Sequence, residues 1–476
     1  MILFRNSMIF LQFTVLFVLF NPFLVLPMNL PIDTYAVQRV LEWILIALAF
    51  LHLAVDQAVR QRGFAFLQSL CGYKKALLGL ILILGLISSL HAAYPLYALL
   101  ELTTFYGLFL TVLLFVGLFS LDHEVYLQYF YAFILVTFGV SCASALLMLL
   151  YDVSSPAFQH MGGDPYTMLA SPGYMNRRFY DDVACMVLPI LTFLAYRHQD
   201  HKIRLNWIVF FMLAYLYTRG IVSHSRIYVF EPLAILMCFP FLYRRKALPF
   251  LVVQCGAIVL GVLLYLLLYM HHGVTPASFP DRTFLNNRVL LWQIAGGLIA
   301  HHPLLGVGPL HFNFYARPLE NYAAHPHSAL MVIAAEWGLP VALAWIMLIG
   351  AGIIACIDRR ATMPLPLLGS LIGVFLMMQV DGLILMPAGQ SMLCLIAAWA
   401  CAASTQPALP IVEQALARTL TPFLLISGLI ALILMLAIGV PLLLHLDTIE
   451  LNFMGQCQGN CMLSPDYWSE GFIQFY

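Results

Sequence analysis

Long apolar runs separated by short polar breaks set the plan of the chain. Runs able to cross a hydrocarbon core of about 30 Å fall near 7–27, 36–54, 74–91, 97–119, 124–151, 179–196, 205–218, 227–243, 247–270, 328–352, 364–381, 386–402 and 419–445. The pattern predicts an all-α polytopic membrane protein with about 12–13 transmembrane helices. The run at 205–218 is short, and the last is open to a re-entrant or peripheral reading. The first run follows Arg5 and resembles a secretion signal. It closes in Asn29-Leu30-Pro31 without a small-residue cleavage site, so it is read as a retained first span.

The one long connection between spans covers 271–327. Within it Val289, Leu290, Ile294, Leu298 and Ile299 fit one apolar helical face, with Arg288 at its start and Pro303 at its end. This predicts an amphipathic helix lying near the membrane surface. Gly306 and Gly308 then permit a tight turn. Pro326 marks the first turn of the next span, with His327 and Ser328 just inside it. Glu336 lies nine residues beyond His327, so the two do not share a helical face. Bracing neighbouring helices and pairing with an arginine are its candidate roles.

Composition supports the membrane reading. Hydrophobic residues make up 62% of the chain and charged ones 9%, with 22 Lys/Arg against 22 Asp/Glu. That is too little charge to cover a soluble surface of this size, and the zero net charge suggests neither nucleic acid nor an acidic tail. With the N-terminus inside, the clusters Arg60/Arg62/Lys74/Lys75, Arg197/Lys202/Arg204, Arg244/Arg245/Lys246 and Arg359/Arg360 all fall on the cytoplasmic side. Arg5 and Arg418 join them. No nested repeat of the transporter kind is evident.

The basic residues left over are Arg39, Arg177, Arg178, Arg219, Arg226, Arg282, Arg288 and Arg317, every one an arginine. A planar fork of donors suits bidentate grip on phosphate. Helix-end snorkelling or pairing with Asp164, Asp181, Asp281 and Glu320 is the competing reading. A neutral histidine at the membrane boundary can accept a proton, and arginines around it can stabilise a phosphate-bearing leaving group. His301, His302, His325 and His327 lack the i,i+4 ligand pair and carboxylate cluster that a metal centre would need. Most cysteines sit in apolar stretches. Cys457 and Cys461, in the polar tail CQGNC, would form a small disulfide loop if that tail is extracytoplasmic.

Three runs carry a family resemblance: SHSR (Ser223 to Arg226); Arg288, Trp292, HPLLGVG (His302 to Gly308) and Phe312; and HPHSALMVIAAEWGLP (His325 to Pro340). In order and topology they resemble the O-antigen ligase family with its Wzy-type polymerase/ligase domain, most clearly over 170–345. The resemblance implies about twelve membrane helices, a periplasmic helical loop over a cavity, and glycan transfer from undecaprenyl diphosphate with no metal or nucleotide cofactor. It makes His327 the residue that activates the acceptor hydroxyl, and Arg226 and Arg288 the groups that hold the donor diphosphate. Arg178, its neighbour Arg177, Arg219, His302, His325 and Glu336 join as substrate-contacting candidates, His302 with a structural alternative. Pro340 stands where many relatives have glycine, which alters how that helix begins.

The resulting organisation is an N-terminal bundle (1–169), a ligase-like core (170–352), C-terminal membrane helices (353–445) and a periplasmic tail (446–476). The expected reaction is direct, inverting displacement at the anomeric carbon in the bacterial inner membrane, with the active site facing the periplasm. Lipid A–core is the first-ranked acceptor; a growing glycan (polymerase) and a protein Ser/Thr such as a pilin are alternatives. A lipid-linked glycan transporter would need basic residues distributed in depth. A non-catalytic assembly protein would tolerate substitution of His327.

Overall fold

The computed structural model describes residues 2–24, 34–154, 177–197, 203–223, 225–272, 284–316, 325–359, 364–380, 383–404 and 412–444. The tail with Cys457 and Cys461, together with Asp164, Arg282 and Arg317, lies outside the described residues. Among the described residues the regular structure is helical throughout. In chain order the helices are α1 (Ile2–Phe20), α2 (Thr34–Val55), α3 (Gln57–Ser69), α4 (Gly72–His91), α5 (Pro95–Leu121) and α6 (His123–Ser154). Then come α7 (Arg177–Arg197), α8 (Ile203–Val222), α9 (Ile227–Tyr243), α10 (Leu248–His272), α11 (Phe284–His301) and α12 (Phe312–Ala316). The last five are α13 (Ala329–Trp337), α14 (Leu339–Asp358), α15 (Leu365–Val380), α16 (Pro387–Ser404) and α17 (Val412–Leu444).

The chain is a polytopic all-α membrane protein. Eight stretches among the described residues are long and apolar enough to cross a membrane, and one of them, Ile227–Leu267, runs through both α9 and α10. Asn206–Val222, Leu365–Gln379 and Leu424–Gly439 are shorter apolar segments. Every apolar run read from the sequence falls on a helix, with one correction: 328–352 is two helices, α13 and α14, broken at Gly338. Gly338 has φ +89°, and a Cβ there would strike the Leu304 carbonyl. Only glycine combines that backbone with so close a neighbour. Pro340 then sits in the first turn of α14, where its missing N–H is not needed.

Helix α5 is the hub of the first half, packing on α2, α3, α16 and α17. Helix α7 plays that part in the second half, packing on α8, α10, α15 and α16, so α16 touches both hubs. An interior helix has no solvent face, and α5 accordingly reads as apolar all round. Helix α3 lies in what the sequence presents only as a basic connection. Asp56 caps its start by accepting from Ala58 N (3.0 Å) and Val59 N (3.2 Å). A Cβ on Gly63 of α3 would lie 2.5 Å from the Leu113 carbonyl oxygen of α5, and one on Gly117 of α5 would strike the Val59 carbonyl of α3. The two glycines bring these helices into backbone contact.

Helices alternate in direction, so the molecule has two ends. One carries Arg60, Arg62, Lys74, Lys75, Arg197, Arg244, Arg245, Lys246 and Arg359 and is the basic face below. There Arg5 reaches both Asp56 carboxylate oxygens (2.6 and 3.0 Å) and ties α1 to α2 and α3. The opposite end carries α11 to α13 with Arg39, Arg219, Arg226 and Arg288.

Arg39 stands at that opposite end and is almost wholly buried. Its Nη1 meets Glu42 Oε2 at 2.5 Å and Gln390 Oε1 at 2.8 Å, while Nη2 donates to the Leu385 carbonyl at 2.7 Å. This arginine clamps α2 to the connection before α16. Removing one partner of a buried pair strands the other charge. Arg39→Met is therefore expected to cost about 3–5 kcal/mol, read as a lowered melting temperature in detergent. Adding Glu42→Gln to that variant should recover part of the loss.

Candidate active site

Two of the sequence motifs lock together at the end opposite the basic face. Residues 302–312 leave helical geometry and run beside the α13–α14 break. Val307 N donates to Ala335 O (3.0 Å), Gly308 N to Glu336 O (2.9 Å) and Leu339 N to Pro303 O (2.9 Å). Ser88 of α4 sets its hydroxyl 2.6 Å from the Leu305 carbonyl and 3.1 Å from the Glu336 carbonyl. Gly306 (φ +65°) and Gly308 (φ +103°) adopt left-handed backbone, and a Cβ on Gly306 would strike the Glu336 backbone. The tight turn read from these glycines is present, pressed against the EWG segment.

The Glu336 side chain completes the lock. Its Oε2 accepts from Leu310 N (3.0 Å) and its Oε1 from Phe312 N (2.8 Å), at the start of the short helix α12. A buried carboxylate that takes two backbone N–H groups braces the loop. His311 is fixed in the same region. Tyr94 N donates to its Nε2 at 3.0 Å, which leaves Nδ1 to carry the proton toward the Pro309 carbonyl at 2.7 Å. Burial pushes this imidazole's pKa down, which favours the same neutral form.

The segment His325–Ser328 lies outside the helix. This corrects the expectation that His327 and Ser328 stand inside the span: α13 starts at Ala329, and Ser328 is its N-cap, accepting from Met331 N. His327 has φ +51°, a left-handed conformation that costs a non-glycine residue about 1–3 kcal/mol. Two contacts impose it. His327 N donates to His325 Nδ1 at 3.1 Å, and Trp292 Nε1 donates to the Pro326 carbonyl at 2.9 Å. The two imidazole rings are 4.3 Å apart between centroids. His325 is buried and His327 partly exposed.

Trp292 belongs to α11, the surface helix predicted from 286 onward. Its buried row differs from the expected one. Leu291 and Ala295 are buried with Ile294, Leu298 and Ile299 beside them, while Val289 and Leu290 are 41% and 39% exposed. Apolar residues on both sides of this helix leave its phase undetermined until α13 is in place. Arg288 is one turn before Trp292 on the same side of the helix. It therefore stands next to the His325–His327 turn in the fold, despite some forty intervening positions. His301 and His302, where α11 ends before Pro303, are exposed.

The third motif lies at the same end. Arg219 is buried at the end of α8, its Nη1 3.4 Å from Asp181 Oδ1 and its guanidinium 3.5 Å above the Tyr180 ring. Tyr228 Oη donates to the same Asp181 oxygen at 3.2 Å. Arg226, at the start of α9, is exposed. The backbone of Arg177 and Arg178 opens α7 four residues before Asp181, and their side chains lie outside the described residues. Arg226 and the Arg219–Asp181 pair thus lie at the same end of the helices as Arg288 and His327. Pairing of an arginine with Asp181, one of the partners offered by the sequence, is present at Arg219, whereas no spacing in the sequence marks Tyr228, Ser88 or His311 as part of this region. The same holds for Glu231, buried in α9 against Gly373.

Residues 205–346 match the O-antigen ligase family. Over these residues the chain is similar to that family. The matched span runs from α8 into α14 and encloses Arg219, Arg226, Arg288, His302, His325, His327 and Glu336. No curated protein matches the chain. Within the matched span, the lock between residues 302–312 and Glu336 depends on an acceptor at each freed N–H. Glu336→Gln places an amide donor against Leu310 N or Phe312 N. Hydrogen–deuterium exchange at residues 306–312 should then run roughly ten- to a hundredfold faster, with exchange in α7 unchanged.

Proposed function

We propose that the ligase domain transfers a glycan from undecaprenyl diphosphate to an acceptor hydroxyl at the membrane face opposite the basic clusters, the periplasmic face of the bacterial inner membrane. One observation carries the reading. His327 is held in a strained left-handed turn, partly exposed, by a helix whose preceding turn bears Arg288. Backbone strain kept in place by surrounding contacts gathers at working sites.

In the proposed reaction His327 orients the acceptor hydroxyl and takes its proton as oxygen attacks the anomeric carbon. The bond to the diphosphate oxygen breaks in the same step, so configuration inverts. Arg288 and exposed Arg226 gather the charge that builds on the departing diphosphate. Arg219, whose charge is met by Asp181, shapes the donor side from within, and Arg177 and Arg178 extend that side. His325 holds the His327 backbone through its Nδ1, and Glu336 braces the adjoining loop. His302 faces outward, where a glycan would pass. The step draws its energy from the activated donor and uses no metal or nucleotide. Lipid A–core is the proposed acceptor, with a glycan or protein hydroxyl the alternative.

The test supplies purified undecaprenyl diphosphate glycan and lipid A–core to the protein without metal or ATP. His327→Asn suits it, because asparagine tolerates left-handed backbone and removes only the imidazole. It should slow transfer by about 10²–10⁴-fold. Arg226→Lys and Arg288→Lys keep the charge and lose the fork; each should lower kcat/KM roughly tenfold or more. Undiminished transfer by His327→Asn would sink the base assignment. An absolute need for a divalent cation would sink the metal-free mechanism. Running lipid A–core against glycan and peptide acceptors separates the three acceptor classes.

A further inference from the structure

A groove of about 560 Å³ lies between α4, α5 and α17, with the end of α3 at its mouth and Leu86, Leu99 and Leu102 at its other end, beside Trp337. Leu78, Leu82 and Leu86 form one wall, and Leu424, Ile430 and Leu434 the other. The hydroxyls of Tyr106 and Ser427, halfway along, bond to each other at 2.6 Å, which leaves no unmet polar group there. The polar groups collect at one end, on the basic face. Lys75 Nζ donates to the Gln68 carbonyl at 2.7 Å and keeps two further donors. The Gln68 side-chain amide has no hydrogen-bond partner among the described residues. Lys74 and Arg62 add positive charge at the same end.

Length narrows the occupant. From Lys75 to Leu86 the groove follows α4 for about 16 Å, and from Leu424 to Leu434 it follows α17 for about 15 Å. Both equal roughly half of a 30 Å hydrocarbon core. A chain that enters at Lys75 therefore runs about 16 Å along α4, to the level of Leu86. A polyprenyl donor engaged at the His327 face would carry its diphosphate at the wrong end for this groove. We propose that the groove seats one acyl chain of an anionic glycerophospholipid from the leaflet on the basic face. Lys75 meets the phosphate, and the Gln68 amide meets the ester or a head-group hydroxyl. The exclusion of a polyprenyl occupant rests on the glycan-transfer reading; the preference for an anionic lipid does not.

Native mass spectrometry of the full chain, released from detergent after incubation with equal phosphatidylglycerol and phosphatidylcholine of matched chains, tests it. One phosphatidylglycerol should be retained in preference to phosphatidylcholine. Lys75→Gln, a change at an exposed side chain, should weaken that retention about fivefold. Leu82→Trp, which fills the groove, should abolish retention of either lipid. Equal retention of the two lipids by the unaltered protein means an unspecific lipid annulus and overturns the proposal. So does retention untouched by Lys75→Gln, or displacement of phosphatidylglycerol by undecaprenyl phosphate. If Leu82→Trp fails to fold, the lipid preference and the Lys75→Gln result decide the matter.

Discussion

Next to a membrane, a chain that leaves helical geometry must find a partner for each N–H and C=O it frees. Residues 302–312 meet that demand through α13 and α4. The Ala335 and Glu336 carbonyls take two of the N–H groups, the Glu336 carboxylate takes two more, and Ser88 reaches two carbonyls. The remaining features of the site rest on this lock. It fixes where α11 ends, and α11 in turn sets Trp292 against Pro326 and Arg288 near the His327 turn. Glycines at 306, 308 and 338 permit the close approach, since their backbone is one that other residues resist.

Arginines that look alike in the sequence do different work in the fold. Arg39 is consumed by Glu42, Gln390 and a carbonyl, and Arg219 by Asp181 and the face of Tyr180. Each braces helices that must stay in register near the site. Arg226 is exposed and Arg288 only partly buried. Burial separates the two classes, and burial depends on partners hundreds of positions away, as Gln390 is from Arg39.

The membrane helices were legible because 3.6-residue periodicity is unnecessary for them: length and apolarity suffice. The break at Gly338 was less so, since an apolar run hides a change of direction that only Gly338 and Pro340 mark. The surface helix α11 was visible, but its phase was not, because Val289 and Leu290 are as apolar as the residues that pack. Helix α3 was hidden by its basic residues; its cap, Asp56, and its packing glycine, Gly63, become meaningful only beside α5. At the candidate site the motif residues could be named from sequence. Most of their supports could not, because Ser88 and His311 act through backbone groups that no local pattern records, although Asp181 was open to reading as an arginine partner. His327 illustrates the limit: its type was evident, while its left-handed backbone follows from Trp292 and His325 together.

The contact between α3 and α5 has a genetic consequence. At Gly63 and Gly117 the first obstacle to a larger residue is the neighbouring helix's carbonyl oxygen, with the Val59 side chain also close at Gly117. Ordinary suppressors work by trimming the side chain that a first mutation collides with. Here trimming a side chain, Val59 included, leaves the carbonyl in place, so loss of either glycine should be correctable only by reversion or by changes that shift a whole helix. These two positions are therefore poor places for the chain to drift, although neither touches the ligase motifs.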